Sequence, residues 1–281
     1  MAAIFKFGGM LALSVILEAF AGAQAPLKTT DSWIPLEDWK TAVLAGDSAA
    51  LSGLYSTNPP MQAATVSGSI DAGSETSFWI GLKARSINLD LVQRSSPQAG
   101  AEVVTFQAEV HQPNLIVYVT ESQLWQQQSG QWRLVASKRT EPAQLKQPLN
   151  KEKNIYPANA DAKVEIKEAE EHAAKEHRRV LLVFGANWCY DCHVLDLAFQ
   201  RPDFASAVAG YEIVHVDIGE DGKKNADLAQ RYHVPLERGI PALAVLDSDG
   251  KLLVSQKNGE FEKARALTPE VLLEFLNKWK A

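Results

Sequence analysis

The two cysteines of this chain, Cys189 and Cys192, are separated by two residues and lie between an apolar run and a helical pattern. Residues 180–184 predict a buried strand, and residues 194–200 predict a helix. At such a junction the first sulfur lies at the helix N-terminus, where unpaired N–H groups and the helix dipole favour a thiolate. The second sulfur follows one turn later, close enough to form or open a disulfide with the first. The spacing therefore predicts a redox-active pair.

Three other interpretations of the pair are open from the residues alone. A purely structural disulfide would close a very small loop and constrain the unfolded chain little. Cys189, Cys192 and His193 also satisfy the attachment pattern of a c-type haem, but a porphyrin directly behind a buried strand would collide with the sheet. A zinc site needs four ligands, and neither His215 nor His233 has metal-binding spacing. We therefore expect no metal and no cofactor beyond the redox-active disulfide.

Length, charge and the first residues limit the cellular context. The 281 residues suffice for two domains, and the net charge of −6 argues against nucleic acid or an anionic membrane surface as the main partner. Lys6, the apolar stretch 10–17 and the small residues 21–23 predict a signal peptide over residues 1–23. An uncleaved anchor is the alternative, although the stretch is too short to span a bilayer comfortably. We expect a periplasmic or secreted protein, not bound to a membrane after cleavage, in an oxidising compartment.

The first half of the chain has helical patterns followed by strand patterns. The predicted helices cover 36–44, 48–55 and 77–84, and the predicted strands cover 86–94, 102–112, 115–127 and 131–139. Ser129 and Gly130 predict a tight hairpin between the last two strands. Consecutive strands with short turns predict an α+β cone over residues 27–145, a curved antiparallel sheet with helices packed on one side.

This half resembles the ketosteroid-isomerase-like, or nuclear-transport-factor-like, proteins through residues 39–47, 54–56 and the hairpin 124–135. The resemblance implies a cone that acts as an enzyme, a ligand pocket or a dimerisation module, so the fold alone does not choose. Since we assign no acid–base residue in it, we expect the cone to recruit a partner or form a homodimer. Its aromatic residues either line a hollow or, as is commoner, fill the core; they are Trp39, Tyr55, Phe78, Trp79 and Trp125.

A polar, proline-containing segment, 146–160, predicts a linker, and residues 161–281 predict a second domain. The second domain has a charged leading helix and then the order β-α-β-α-β-β-α. It resembles thioredoxin through residues 184–192, 238–241 and the hairpin 242–256. The resemblance implies an α/β thioredoxin fold in which Pro241 is cis and lies against the disulfide, leaving Ile240 to pair with an extended substrate strand. An ordinary trans proline in a turn is the alternative.

The resemblance also implies a role for each residue of the motif. Cys189 is the nucleophile, Cys192 is the resolving thiol, and Trp188 covers one side of the pair. Thioredoxins usually carry a buried aspartate six residues before the nucleophile, where this chain has Val183. Proton transfer from the resolving thiol must therefore use water or a nearby group such as Asp217 or Glu220, or be slower.

Tyr190 and Asp191, between the cysteines, are expected to tune the thiolate. The charge of Asp191 should raise the pKa of Cys189, which makes the couple less oxidising and favours a reductase or isomerase over a strong oxidant. A protonated His193 would act in the opposite direction, unless this residue simply lies on the surface.

These observations predict an exported thiol–disulfide oxidoreductase that exchanges disulfides with protein thiols through Cys189 and Cys192. The alternative is a binding or docking protein without turnover, whose cone domain holds a ligand or partner.

Overall fold

The computed structural model describes residues 33–149 and 154–281, so the predicted signal peptide lies outside the described residues. The chain divides into two compact units between Pro142 and Ala143, and each is described by itself. Within the described ranges, no helix is long and apolar enough to cross a membrane.

The helices of the first unit are α1 (Ile34–Ala45), α2 (Ser48–Gly53) and α3 (Ala72–Gly81). Their starts follow from local capping chemistry. The Asp47 carboxylate accepts the backbone N–H groups of Ala49 and Ala50 at the start of α2, and Asp71 accepts that of Ser74 at the start of α3.

Six strands form one sheet in the order β2-β1-β6-β5-β4-β3. They are β1 (Gln62–Thr65), β2 (Gly68–Ile70), β3 (Ser86–Gln98), β4 (Ala101–His111), β5 (Ile116–Gln128) and β6 (Gln131–Arg139). The α+β prediction is confirmed, but the sheet is mixed, since β1 pairs with β6 in parallel. The sequence analysis missed β1 and β2 because both are short, with a two-residue turn between them.

Large aromatic side chains fill the core between the sheet and the helices. Trp39, Trp79, Trp125 and Phe106 are each at most 1% exposed, and the Trp39 and Trp79 rings meet edge to face at 4.7 Å. These residues therefore pack the core, as the commoner of the two interpretations predicts.

The same core encloses a polar cluster that the sequence analysis did not identify. Arg139 of β6 is hydrogen-bonded to Glu75 of α3 at 2.9 Å, and the Trp79 indole donates to Glu75 at 2.8 Å. Glu121 of β5 is 1% exposed and accepts a hydrogen bond from Gln123. Burial and the nearby Glu75 charge raise the pKa of Glu121 well above its ordinary value, so this side chain favours its neutral form.

The substitution Glu121→Gln should therefore change the pH dependence of stability. A carboxyl group whose pKa is raised in the folded state stabilises the fold at low pH, and that contribution is lost as pH rises through the folded-state pKa. The amide mimics the neutral acid, so the variant should match the parent in acid and exceed its stability in mild alkali. Urea unfolding at several pH values, followed by tryptophan fluorescence, measures this. Asp38 is an exposed carboxylate, so the control variant Asp38→Asn should show the parental dependence of stability on pH. If Glu121→Gln changes the stability by the same amount at every pH, the raised pKa of Glu121 is not the cause.

The second unit has a four-stranded sheet in the order β10-β9-β7-β8. The strands are β7 (Arg179–Gly185), β8 (Tyr211–Asp217), β9 (Ala242–Leu246) and β10 (Leu252–Ser255). β7 is parallel to β8 and antiparallel to β9, as expected for a chain in which a helix joins the first two strands. The fold class predicted for this domain is confirmed.

The helices of the second unit are α4 (Ala162–Glu176), α5 (Tyr190–Phe199), α6 (Ala205–Val208), α7 (Ala226–Arg231) and α8 (Pro269–Trp279). Short 3-10 turns lie at Pro202–Phe204, Leu236–Arg238 and Ala264–Ala266. β7 is buried on both faces because a separate apolar cluster packs against each side of it.

The prediction of a linker over 146–160 is wrong for the described part of that segment. Leu145 just before it is 0% exposed and packs with α8 residues, and Tyr156 within it is also 0% exposed. These apolar side chains bury area in the second unit, which outweighs the polar and proline-rich composition around them.

Candidate functional site

The cysteine pair lies where β7 ends and α5 begins. Cys189 is the N-cap of α5, and its Sγ accepts the backbone N–H of Cys192 at 3.1 Å. The two residues form a disulfide with their Cα atoms 5.3 Å apart. Cys189 is 5% exposed and Cys192 is 1% exposed, so an incoming thiol reaches the first sulfur more easily than the second. The helix N-terminus favours a thiolate at Cys189 once the disulfide opens.

The Ile240–Pro241 segment lies beside this disulfide. The Ile240–Pro241 peptide bond is cis, as the resemblance implies, and the Ile240 carbonyl oxygen lies 3.7 Å from Cys189 Sγ. Ile240 also packs against both cysteines. Among the described residues the Ile240 N–H donates to no other backbone group.

Trp188 immediately precedes Cys189 and has a large exposed side chain. Its side chain is 46% exposed, and the indole N–H donates to the Gly219 carbonyl at 3.2 Å. This bond orients the ring, and much of the ring remains accessible to solvent.

Asp191 does not present a free negative charge, and the simple argument that it raises the pKa of Cys189 needs correction. It is 6% exposed and accepts both the backbone N–H and the side-chain Nε of Arg265, at 2.8 and 3.0 Å. This carboxylate raises the pKa of Arg265. The pair is neutral overall, so the field of Asp191 at Cys189 is largely cancelled.

Tyr190 is likewise held by protein groups. Its hydroxyl donates to Gln147 at 3.1 Å, and the Arg265 guanidinium lies 4.7 Å from the centre of its ring. Burial raises the pKa of Tyr190 to about 12. Tyr190 and Asp191 therefore anchor the first turn of α5 against the segments around Gln147 and Arg265.

His193 is a buried residue rather than a surface one, which corrects that expectation. It is 3% exposed, and its Nε2 lies 2.7 Å from the Asn187 carbonyl oxygen, which requires a proton on Nε2. A ring nitrogen engaged in this way is poorly placed as an axial ligand, so the site does not suit a c-type haem. The described residues contain no cluster suited to a metal ion.

Asn187 and Tyr156 belong to the site but were missed in the sequence. The Asn187 side chain accepts the Tyr156 backbone N–H at 2.9 Å and donates to the Tyr156 carbonyl at 2.7 Å. These bonds hold Tyr156 against Cys189 and Cys192. The only signal in the sequence was a pair of apolar residues, Ile155 and Tyr156, inside a polar stretch.

Comparison with known proteins agrees with this geometry. The profile of the thioredoxin-like family matches residues 161–248. A solved structure, the disulphide isomerase from Xylella fastidiosa Temecula1, is 37% identical; the match covers 44% of this chain and 95% of that one, with a TM-score of 0.42. Residues 161–248 therefore form a thioredoxin-like domain.

Two further similarities concern longer or more distant proteins. The thiol:disulfide interchange protein DsbD 2 of Pseudomonas aeruginosa is 32% identical over 111 residues, which are 39% of this chain and 17% of that protein. The chain thus spans less than a quarter of the length of the curated relatives it matches. An NTF2-like protein of Rhodospirillum rubrum is 20% identical and covers 38% of this chain and 94% of its own, with a TM-score of 0.33.

The pairing of Asp191 with Arg265 predicts opposite effects for two substitutions. Arg265→Gln leaves the carboxylate uncompensated and should raise the pKa of Cys189, whereas Asp191→Asn leaves the guanidinium and should lower it. We expect the pKa of Cys189 to shift by about half a unit to one unit in each case. In the double variant this pKa should be close to that of the parent. Thiolate absorbance of the reduced protein as a function of pH measures this.

The ion pair of Arg201 with the exposed Asp203 offers a matched control for these variants. Asp203→Asn should leave the pKa of Cys189 unchanged. If Asp191→Asn and Arg265→Gln shift that pKa in the same direction, the charge argument is wrong.

Proposed function

We propose that this chain is a thiol–disulfide oxidoreductase that exchanges disulfides with protein substrates. The observation that carries the proposal is the Cys189–Cys192 disulfide at the tip of α5, with the Ile240 backbone beside the more accessible sulfur. The helix tip supplies the stabilised thiolate, and the Ile240 N–H and carbonyl group supply a docking edge for a substrate strand.

The reaction balances without a cofactor. The Cys189 thiolate attacks a substrate disulfide, forms a mixed disulfide and releases one substrate thiolate. Cys192, as a thiolate, then attacks Cys189 Sγ and releases the second. Two electrons pass from the pair to the substrate, and the two protons of the pair reach the substrate thiols through water. A dithiol partner must then reduce Cys189–Cys192 again.

We further propose that the chain works as a reductase or isomerase rather than as a strong oxidant. The Asp191 charge no longer supports this direction by itself, since Arg265 compensates it. What supports it is the similarity to a protein described as a disulphide isomerase over nearly its whole length.

Trapping of the mixed disulfide tests the proposal. Cys192→Ser should accumulate a covalent adduct with protein substrates, because no resolving thiol remains to attack Cys189. Cys189→Ser should form no such adduct, and the parent should reduce a model disulfide at the expense of a dithiol. Non-reducing electrophoresis and mass spectrometry detect the adduct. No adduct and no turnover would support the alternative, a binding protein without turnover.

A cleft in the first unit favours that alternative as a second candidate function. This open cleft has a volume of about 700 Å³ and is lined by aromatic residues and by one acidic and one basic side chain. The accessible side chains among them are Trp33, Trp132, Asp38 and Arg133. A small, partly aromatic ligand of mixed polarity fits such a lining.

For the first unit, which ends at Pro142, we propose a role in recruiting a protein partner or in forming a homodimer. Leu145 and Gln147 pack in the second unit, so a truncated chain should begin at Ala143. The truncated chain should retain full activity on oxidised glutathione. It should lose activity on a protein substrate that Cys192→Ser has trapped. If the truncation lowers activity on both substrates equally, or lowers activity on neither, the recruiting role is contradicted.

We also propose that residues 1–23 are a cleaved signal peptide and that the chain works in the periplasm or outside the cell. An oxidising compartment suits a disulfide-forming pair. N-terminal sequencing of the exported chain tests the cleavage position.

A further inference from the structure

A buried hydroxyl without a partner lies next to the cysteine pair. Tyr156 is 0% exposed, and among the described residues its hydroxyl has no hydrogen-bond partner. Buried polar groups are nearly always paired, so each exception calls for an explanation. The structure contains the oxidised state of the site, and another redox state can provide the missing acceptor.

The hydroxyl and the second sulfur occupy the same small space. A Cβ atom added to Gly185 would lie 2.2 Å from the Tyr156 hydroxyl oxygen and 2.7 Å from Cys192 Sγ. The two atoms therefore approach one another over the bare backbone of Gly185, at the end of β7. Any larger residue at position 185 would separate or displace them.

The position of Tyr156 is fixed from several sides. Asn187 binds both the N–H and the carbonyl group of its backbone, and the His215 ring packs against the Tyr156 ring at 5.3 Å, edge to face. Asn187 immediately precedes Trp188 and Cys189. The same loop that carries the nucleophile thus places the phenol beside Cys192.

The chemistry of the two redox states differs at this point. A disulfide sulfur is a poor hydrogen-bond acceptor, whereas a thiolate accepts strongly. Burial raises the pKa of Tyr156, so its hydroxyl keeps its proton and can only act as a donor toward an anion. The β7 side chain at position 183 is valine, which offers no such donor.

We propose that the Tyr156 hydroxyl donates a hydrogen bond to Cys192 Sγ once the disulfide opens, and that this bond stabilises the thiolate that resolves the mixed disulfide. The proposal rests on the proposed oxidoreductase function. In the mixed disulfide, Cys192 loses its proton to water, its thiolate attacks Cys189 Sγ, and the substrate thiolate leaves. Tyr156 is not consumed and its proton is not transferred.

The substitution Tyr156→Phe removes the hydroxyl and retains the ring. The pKa of Cys192, measured in the Cys189→Ser background where it is the only thiol, should rise by about one unit. Resolution of the mixed disulfide at neutral pH should slow about tenfold, and its pH profile should move to higher pH. The first attack by Cys189 should be unchanged. The equilibrium with glutathione should move about threefold to tenfold toward the disulfide, because only the dithiol form loses a bond.

Stability of the two redox forms provides a second readout. The oxidised Tyr156→Phe protein should be at least as stable as the parent, since an unpaired hydroxyl is removed, and the reduced variant should be less stable. Tyr211→Phe is the matched control, because the Tyr211 hydroxyl donates a hydrogen bond of 2.6 Å to the Leu276 carbonyl and makes no contact with the cysteine pair. That control should lower the stability of both forms equally and leave the glutathione equilibrium unchanged.

The outcomes separate the two proposals. An unaltered pKa of Cys192 in Tyr156→Phe, with a parent that still turns over, would overturn the role of Tyr156 alone. A parent that neither reduces nor accepts disulfides would overturn the oxidoreductase function itself. The hydrogen bond can also be tested by NMR on the unaltered full chain, a measurement that does not depend on how the variant folds. The Tyr156 hydroxyl proton should move downfield in the NMR spectrum on reduction, and no movement would contradict the hydrogen bond.

Discussion

The sulfur of Cys189 closes the start of α5, because it accepts the backbone N–H that a capping side chain would otherwise take. The reactive atom and the helix cap are therefore the same atom. When the disulfide is open and Cys189 loses its proton, the negative charge lies at a helix N-terminus, where the dipole and the unpaired N–H groups stabilise it. The chemistry depends on this placement, and the surrounding loops can be understood by how they maintain it.

Polar side chains around the helix start are paired with protein groups rather than left for catalysis. Asp191 binds Arg265, Tyr190 binds Gln147, and His193 binds the Asn187 carbonyl. Each bond attaches the first turn of α5 to a different part of the second unit. Because Arg265 compensates the charge of Asp191, the helix terminus remains the main electrostatic influence on Cys189.

Much of the framework could be predicted from the sequence because it depends on local patterns. The apolar run of β7, the helix after it and the Ile240–Pro241 turn were all expected at nearly the observed positions. Periodicity and turn residues carry that information within a window of about ten residues.

The missed parts depend on long-range contacts that no local pattern records. Asp191 and Arg265 are 74 residues apart in the chain, and Asn187 and Tyr156 are 31 apart. The segment with Leu145 and Tyr156 has the composition of a linker, yet its few apolar side chains find buried sites once the domain is folded. In the first unit, β1 and β2 are too short for a periodic signal, and their pairing depends on the neighbouring strand β6.

Gly185 links the fold to the chemistry of the site. As the last residue of β7 it pairs with Asp217 of β8, so its backbone position is fixed by the sheet. Its lack of a side chain leaves the space in which the Tyr156 hydroxyl and the Cys192 sulfur lie. A sheet that is rigid and apolar elsewhere thus provides one small gap beside the second sulfur. That gap is closed by a phenol from a distant segment, which makes the environment of the resolving thiol a property of the packed domain and not of the Cys-x-x-Cys motif alone.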